Sequence, residues 1–308
     1  MINAHYLPRT YLKGFTQNNK SVQRFSIKYN SWKEKDVEQV AYEKDLYSFN
    51  DDEGNRHDEV ESLILPTIEN PYRRIIVNLE QKKKLSSQEF EDLFVFLSFL
   101  VFRSPRTKNF HTRILKEVPI LNIKDRAIRF PELLKEDYEA IKDTLPIQTT
   151  WEEFRQQMEN LDPLKLDLDR NMPTSEYLVL MANMAEKIYK LFRTLNVKFV
   201  FSNEGEIFTG DFPYFINNDP NEDKGFLTGD TYIPLSKHVC LALSPNPHFK
   251  KNSIKAINQG MTNAADEFLF CPQRFDLTDY IKNRSLIMRP KLEFIEVEDG
   301  LLFKQSHR

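Results

Sequence analysis

Residues 21–27 (Ser-Val-Gln-Arg-Phe-Ser-Ile) alternate polar and apolar positions with period two, which predicts a strand with one face on a core. A second short strand is expected around Trp32 and 37–42, and Asp51-Asp52-Glu53-Gly54-Asn55 predicts a turn. From residue 58 the period changes. Val60, Leu63, Ile64 and Ile68 recur at three- and four-residue spacing behind Asp58, so a helix capped by Asp58 is expected, bent or divided by Pro66 and Pro71. Ser86 and Glu89 stand at capping-box spacing. The helix that follows is apolar on nearly every side, which places it at the centre of the core. It should end near Ser104-Pro105, because the residue before a proline is pushed out of helical geometry. Further helices are expected at 132–142, 150–160 and 174–195, with 161–173 a connecting loop.

Beyond residue 196 the two-residue period returns. The run 197–201, the polar stretch 203–206 and the run 207–209 predict strand, turn and strand. Residues 232–235 and 239–243 suggest two more strands around a bend, followed by a helix at 254–265, a short strand at 268–270 and an alternating strand at 292–297. The expected architecture is α+β. A β-rich segment (1–57) packs on a mixed or antiparallel C-terminal sheet (196–308), with a helical middle (58–195), and 1–308 forms one compact domain. No internal repeat or low-complexity tract interrupts it.

Composition narrows the class. The 308 residues include 24 Phe, 16 Pro and only 8 Gly, an aromatic-rich chain with sharply bounded elements. A net charge of -3 argues against a bulk polybasic nucleic-acid binder but leaves room for a local basic patch. Cys240 and Cys271 are too few for a disulfide framework or a cysteine-built zinc site, and Cys240 sits in an apolar run as a small buried hydrophobe. The longest apolar stretch, Leu93 to Phe102, falls short of the roughly 20 residues a membrane helix needs. No secretory signal is apparent, so the expected location is cytoplasmic, with no membrane partner. Walker, dinucleotide-glycine, nucleophile-elbow and HExxH patterns do not occur, which sets aside kinase, dehydrogenase, serine-hydrolase and zincin chemistry.

Several short motifs line up with one another. They are His5…Pro8…Tyr11-Leu12…Phe15, Asp45-Leu46-Tyr47, Val60-Glu61…Ile68-Glu69, Phe102-Arg103-Ser104-Pro105-Arg106, Phe208-Thr209-Gly210-Asp211-Phe212-Pro213, Ile233-Pro234-Leu235-Ser236 and Ile257-Asn258. Together they resemble the uncharacterised bacterial family catalogued as domain of unknown function 4238, with Gly210 standing where a serine is commoner. The resemblance brings no established reaction and implies site positions only: His5, Glu61, Glu69, Arg103 and Asp211.

Those residue types suit hydrolysis of phosphodiester bonds. Glu61 and Glu69 are eight apart and would share a face of an unbroken helix. Asp211 ends a strand at a Gly-Asp-x-Pro turn that can aim a carboxylate into a cleft. With His5, Glu69 and Asp211 as ligands, Mg²⁺ or Mn²⁺ would generate the attacking hydroxide, and Arg103 would stabilise the transition state. His5 is expected near Asp211. Each residue also has a plain structural role available: a buried hydrogen bond for His5, a turn cap for Asp211, solvent exposure for Glu61, a helix C-terminus for Arg103. Arg73, Arg74, Arg106, Lys108 and Arg113, with Tyr72, Phe110 and His111 interleaved, could track a phosphate backbone and stack bases; equally, such charges decorate solvated faces.

Two function classes follow. One is a metal-dependent phosphodiesterase or nuclease-like effector, in the setting of bacterial anti-phage defence. The other is a non-catalytic module that senses a nucleotide or binds a partner protein from the same operon, its aromatic residues near the motifs forming the pocket walls.

Overall fold

The computed structural model describes residues 3–51, 53–144, 149–161, 173–217, 229–284, 291–297 and 300–306, without the side chains of 110, 113–115 and 291–306. The expected loop at 161–173 therefore lies almost wholly outside the described residues. The described chain is α+β, helical in the middle with antiparallel sheets from both ends. It clusters into two units: Met1–Arg106 with Pro173–Glu293 and Gln305–Arg308, and Thr107–Met172 with Phe294–Lys304.

Chain order begins with β1 (Asn3–His5), α1 (Arg9–Lys13), β2 (Ser21–Ser26), β3 (Ser31–Asp36), β4 (Tyr42–Lys44), β5 (Phe49–Asn50) and β6 (Arg56–His57). The helices follow: α2 (Leu65–Glu80), α3 (Ser87–Phe102), α4 (Pro105–Arg129), α5 (Pro131–Ile141), α6 (Trp151–Glu159) and α7 (Thr174–Phe192). The last part contributes β7 (Asn196–Phe201), β8 (Thr209–Gly210), β9 (Phe215–Asn217), β10 (Asp230–Ser236), β11 (Val239–Ser244), α8 (Ile254–Ala264), β12 (Phe268–Cys271), α9 (Thr278–Lys282), β13 (Lys291–Val297) and β14 (Gly300–Ser306).

The alternating run at 21–27 is β2, and it joins the two ends of the chain. One sheet has the order β3-β2-β12-β8, with Phe25 opposite Leu269. A second, β7-β11-β10-β9, holds the buried hairpin predicted from 232–235 and 239–243. Cys240 is fully buried inside it. The ladder shifts register between Pro234 and Ser236. Such an irregularity leaves carbonyls outside the ladder. Tyrosines take them: Tyr11 donates to the Pro234 carbonyl at 2.9 Å and Tyr72 to that of Leu235 at 2.5 Å. These bonds pin α1 and α2 to β10.

The capping box at Ser86 and Glu89 is formed, and α3 packs against both α2 and α7. Tyr72 stacks on Phe96 at 4.0 Å between ring centroids. Phe102 ends α3 and Pro105 begins α4, as the sequence requires. In the second unit, Ala127, Leu134, Tyr138 and Phe154 form a small core of their own, flanked by Trp151 and Met158.

Four local expectations are corrected. Residues 37–41 are not a strand: Val37–Gln39 is a 3-10 turn, and Ala41, at φ +53, turns the chain into β4, which begins at Tyr42. Asp58 does not cap with its side chain, which pairs with Arg56 at 2.9 Å instead. Pro66 and Pro71 do not divide the helix. A π turn at Val60–Ile64 bonds the Leu65 N–H back to the Val60 carbonyl, so Pro66 enters the helix where its missing N–H costs little. Pro71 is carried by the buried face of Leu65, Tyr72, Ile75, Ile76 and Leu79. Finally, the strand expected at 207–209 is shorter and later, Thr209–Gly210 alone. Ser202 and Ile207 bond to the His238 and Lys237 carbonyls, and Gly205, at φ +70 against the His238 ring, redirects the chain so that β8 pairs with β12. Among the described residues no helix is long and apolar enough to cross a membrane.

Candidate functional site

The end of α3 creates the site. Because Pro105 starts a new helix, Arg103 leaves α3 with its side chain turned into the interior, only 2% exposed. A buried guanidinium must have its donors satisfied. Arg103 donates to Glu69 Oε1 at 2.6 Å, to the His5 carbonyl at 2.8 Å and to the Tyr47 hydroxyl at 3.2 Å. Tyr47, its phenol pushed up to about 12 by burial, returns a bond to the Arg103 carbonyl, and Tyr177 caps the Phe102 carbonyl. One arginine thus ties together β1, α2 and the chain after α3.

Around this post lies a cavity of about 70 Å³ lined by His5, Pro8, Arg9, Glu61, Leu65, Pro66, Glu69 and Arg103. Four of the five residues inferred from the sequence therefore share one wall. The π turn carries Glu61 and the first turns of α2 carry Glu69, so the face expected of an eight-residue spacing survives the prolines. Glu69 is engaged by Arg103, with the Thr10 hydroxyl at 3.5 Å from its other oxygen. Glu61 and His5 are different. Glu61 Oε2 and His5 Nε2 are both buried without a hydrogen-bond partner. Burial pushes the Glu61 carboxyl above its usual range, a rise that Arg103 opposes and Glu69 reinforces. Burial, with the charges of Arg9 and Arg103, holds the His5 imidazole below its usual 6.5, against the Val37 and Glu38 backbone. The cavity thus favours a neutral base beside an acid that holds its proton more tightly than usual.

Asp211 is the correction. It does not line this cavity. It accepts from the backbone N–H groups of Asp266, Glu267 and Phe268 at 2.8, 2.7 and 3.0 Å, fastening the loop that leads into β12. Burial pushes its carboxyl up to about 6 against the pull of these donors. β1 pairs with β4, His5 opposite Tyr42, and it is the neighbouring Tyr6 whose phenol feels the charge of Asp211. The ligand set His5, Glu69 and Asp211 therefore does not assemble. Among the described residues no group of three or more His, Cys, Asp or Glu side chains is placed to hold a metal ion. Gly210 next door has a reason: a Cβ there would lie 2.8 Å from that of Ala265.

The basic residues part ways too. Arg73 and Arg74 are exposed on α2, Arg73 one turn beyond Glu69, and Arg74 lies 3.9 Å from Glu89. Arg106 is structural: it stacks over Phe212 at 4.5 Å and bonds to the Ala264 carbonyl. Lys108 is half-buried in the first turn of α4, and the Arg113 side chain lies outside the described residues. Sequence reasoning missed Arg9 and Tyr47 as parts of the site. Arg9 stands four residues after His5 across Pro8, and Tyr47 lies in one of the quoted motifs, but neither spacing announces a shared partner.

The comparison with known families decides what the chain is. A family model described as Protein of unknown function (DUF4238) matches residues 3–272. The chain belongs to the DUF4238 family. No curated protein and no solved structure matches it. Every residue lining the cavity falls inside the DUF4238 match, whereas β13 and β14 fall beyond it.

Proposed function

We propose that this DUF4238 protein is a phosphodiester-cleaving, nuclease-like enzyme whose active site is the cavity of His5, Glu61, Glu69 and Arg103. One observation carries the reading: His5 and Glu61 line one cavity, and each keeps a buried side-chain atom, Nε2 and Oε2, without a hydrogen-bond partner, beside an Arg103 bound to three partners. Buried polar atoms are rarely left unsatisfied, and exceptions concentrate where a ligand or a reacting group completes them. An imidazole kept neutral beside a carboxyl inclined to keep its proton is the arrangement of a general base and a general acid. His5 takes a proton from the nucleophile and Glu61 gives one to the leaving oxygen. Arg103 and Arg9 favour the negative charge that develops on phosphorus oxygens.

Mg²⁺ or Mn²⁺ would have to be held largely by the phosphate itself, since the ligand set inferred from the sequence is spread over two places and Glu61 is needed as the proton donor. In the cytoplasm such a nuclease would be toxic when unrestrained, which suits an effector of anti-phage defence held in check by a partner encoded in the same operon. The test is cleavage of labelled RNA, single-stranded DNA and duplex DNA in EDTA, Mg²⁺ or Mn²⁺, beside folded His5→Gln and Glu61→Gln variants. Cutting that depends on both side chains is expected; cutting indifferent to them would sink the assignment.

A second reading, a non-catalytic binding module, draws on the size of the cavity. Ligand pockets commonly run to about 300–1,000 Å³, and one of about 70 Å³ takes only the tip of a larger molecule. Well-folded protein that cuts nothing yet copurifies with its operon partner would favour it.

A further inference from the structure

Resting on the phosphodiesterase reading above, we infer that the substrate is a polynucleotide whose backbone leaves the cavity along the seam between α1 and α2. There Lys13 and Arg73 hold the phosphates beside the one that is cut. The two helices lie side by side and run the same way. Thr10 of α1 meets Glu69 of α2, with 3.5 Å between side-chain oxygens. One residue on, the rings of Tyr11 and Tyr72 are 6.1 Å apart, and both phenols reach carbonyls of β10, those of Pro234 and Leu235. Further along, Gly14 lies against Leu235 and Ser236, and Ser236 donates to Glu80 at the end of α2. Contacts from Thr10 through Tyr11 to Gly14 thus match those from Glu69 through Tyr72 to Glu80.

Lys13 falls between the second and third of these contacts on α1, and Arg73 falls between them on α2. Both residues are exposed. Arg9 and Glu69 line the cavity, and Lys13 and Arg73 each stand four residues beyond one of them. Four residues bring a side chain back to the same helix face about 6 Å further along the axis. A cation therefore stands one turn out from the cavity on each side of the seam. That step is of the order of the distance between successive backbone phosphates, so a strand with one phosphate at the cavity brings its neighbour to this pair. Among the described residues neither Lys13 nor Arg73 is in an ion pair, whereas Arg9 lies 3.6 Å from Glu38 and Arg74 3.9 Å from Glu89. Lys237 continues the row: its backbone N–H donates to the Gly14 carbonyl, and its ammonium meets only the uncharged oxygens of Thr16 and Gln17. Exposed cations of this kind bind a phosphate backbone by releasing its counterions, whatever the bases.

The experiment measures binding apart from cutting. Fluorescein-labelled single strands of mixed sequence, one RNA and one DNA, are titrated with the full chain in EDTA at several salt concentrations, and fluorescence anisotropy is read. Lys13→Gln and Arg73→Gln should each weaken binding several-fold for both strands and lower the salt slope by about 1. Arg74→Gln is the control. Arg74 is about 100° further round α2 and should leave the slope unchanged. Both test residues are exposed, and melting curves establish that the variants fold. Losses as large from Arg74→Gln, or binding indifferent to Lys13 and Arg73, would overturn the track. Polyglutamate bound as tightly as either strand would overturn it too, and make the seam a surface for an acidic protein. Cleavage in Mg²⁺ or Mn²⁺ separates this inference from the one beneath it. Strands held through Lys13 and Arg73 but never cut would sink the enzyme and keep the track; strands cut equally well by both variants would keep the enzyme and sink the track.

Discussion

Replacing Glu61 by Gln should make the protein more stable while removing its activity. Glutamine matches the shape of glutamate and removes only the charge. Glu61 Oε2 is buried without a partner, and burial outweighs the attraction of Arg103 in setting its proton affinity. An unsatisfied buried polar group costs about 1–3 kcal/mol, more when charged. Glutamine still leaves an amide unmet, so a net gain of about 1 kcal/mol is the reasonable expectation, or roughly 2 °C in melting temperature for a chain of this size. The sign follows from linkage. With its folded pKa above 4.5, Glu61 stabilises the fold most at acid pH, and that contribution is lost as pH rises through the folded value. The advantage of Glu61→Gln should therefore appear near pH 7 and vanish near pH 4. Thermal unfolding by circular dichroism across that range measures it. A variant destabilised by 1 kcal/mol or more at pH 7 would mean that Glu61 is a structural partner, and the reasoning would fail. Stability gained by deleting a working residue is the trade expected of active sites.

Arg103→Ala should cost about 3–5 kcal/mol, because it strands Glu69 beside a void, and urea unfolding should register it. Arg103→Lys should lose much of the same stability, since one ammonium cannot reproduce a fork that meets Glu69, Tyr47 and the His5 carbonyl at once. Asp211→Ala should destabilise by about 3 kcal/mol through three freed N–H groups, yet leave cleavage by the folded fraction unchanged; selective loss of turnover in folded protein would return Asp211 to the site. Because the His5 imidazole is held below 6.5, its contribution to stability is complete above pH 6.5 and is lost as pH falls from there toward the folded value. Melting temperatures of wild type and His5→Gln should accordingly diverge below pH 6.5, and parallel curves would refute the assignment.

The elements that were legible in the sequence are those whose own pattern decides them. β2 by alternation, the β10–β11 hairpin by two short apolar runs around a bend, and α3 by its capping box are decided locally, and tertiary context only confirms them. Residues 37–42 and 207–209 are apolar for a different reason: Val37, Val40, Ile207 and Phe208 are buried by neighbours, not by a ladder of their own. Local hydrophobicity cannot tell these cases apart. The long helix α4 has no clean apolar stripe and offered no period to read. At the site, residue type and the family resemblance brought His5, Glu61, Glu69 and Arg103 together, but chemistry alone could not separate a carboxylate facing a cavity from one fastening a loop. Asp211 and Glu61 look alike on paper. Three backbone N–H groups make the difference, and they come from residues 55 to 57 positions away.

The central claim is that His5 presents a neutral, unpartnered Nε2 to a ligand. Nitrogen-15 NMR of the histidine rings, with His5 assigned through His5→Gln, tests it directly. The protein would be titrated in pH and then with a short single-stranded oligonucleotide made resistant to cleavage by phosphorothioate links. The account predicts a His5 ring that is neutral at pH 7, takes its proton only below pH 6.5, and shifts its Nε2 resonance when the oligonucleotide is added. A His5 that titrates at or above 6.5, with a resonance indifferent to the oligonucleotide, would contradict it.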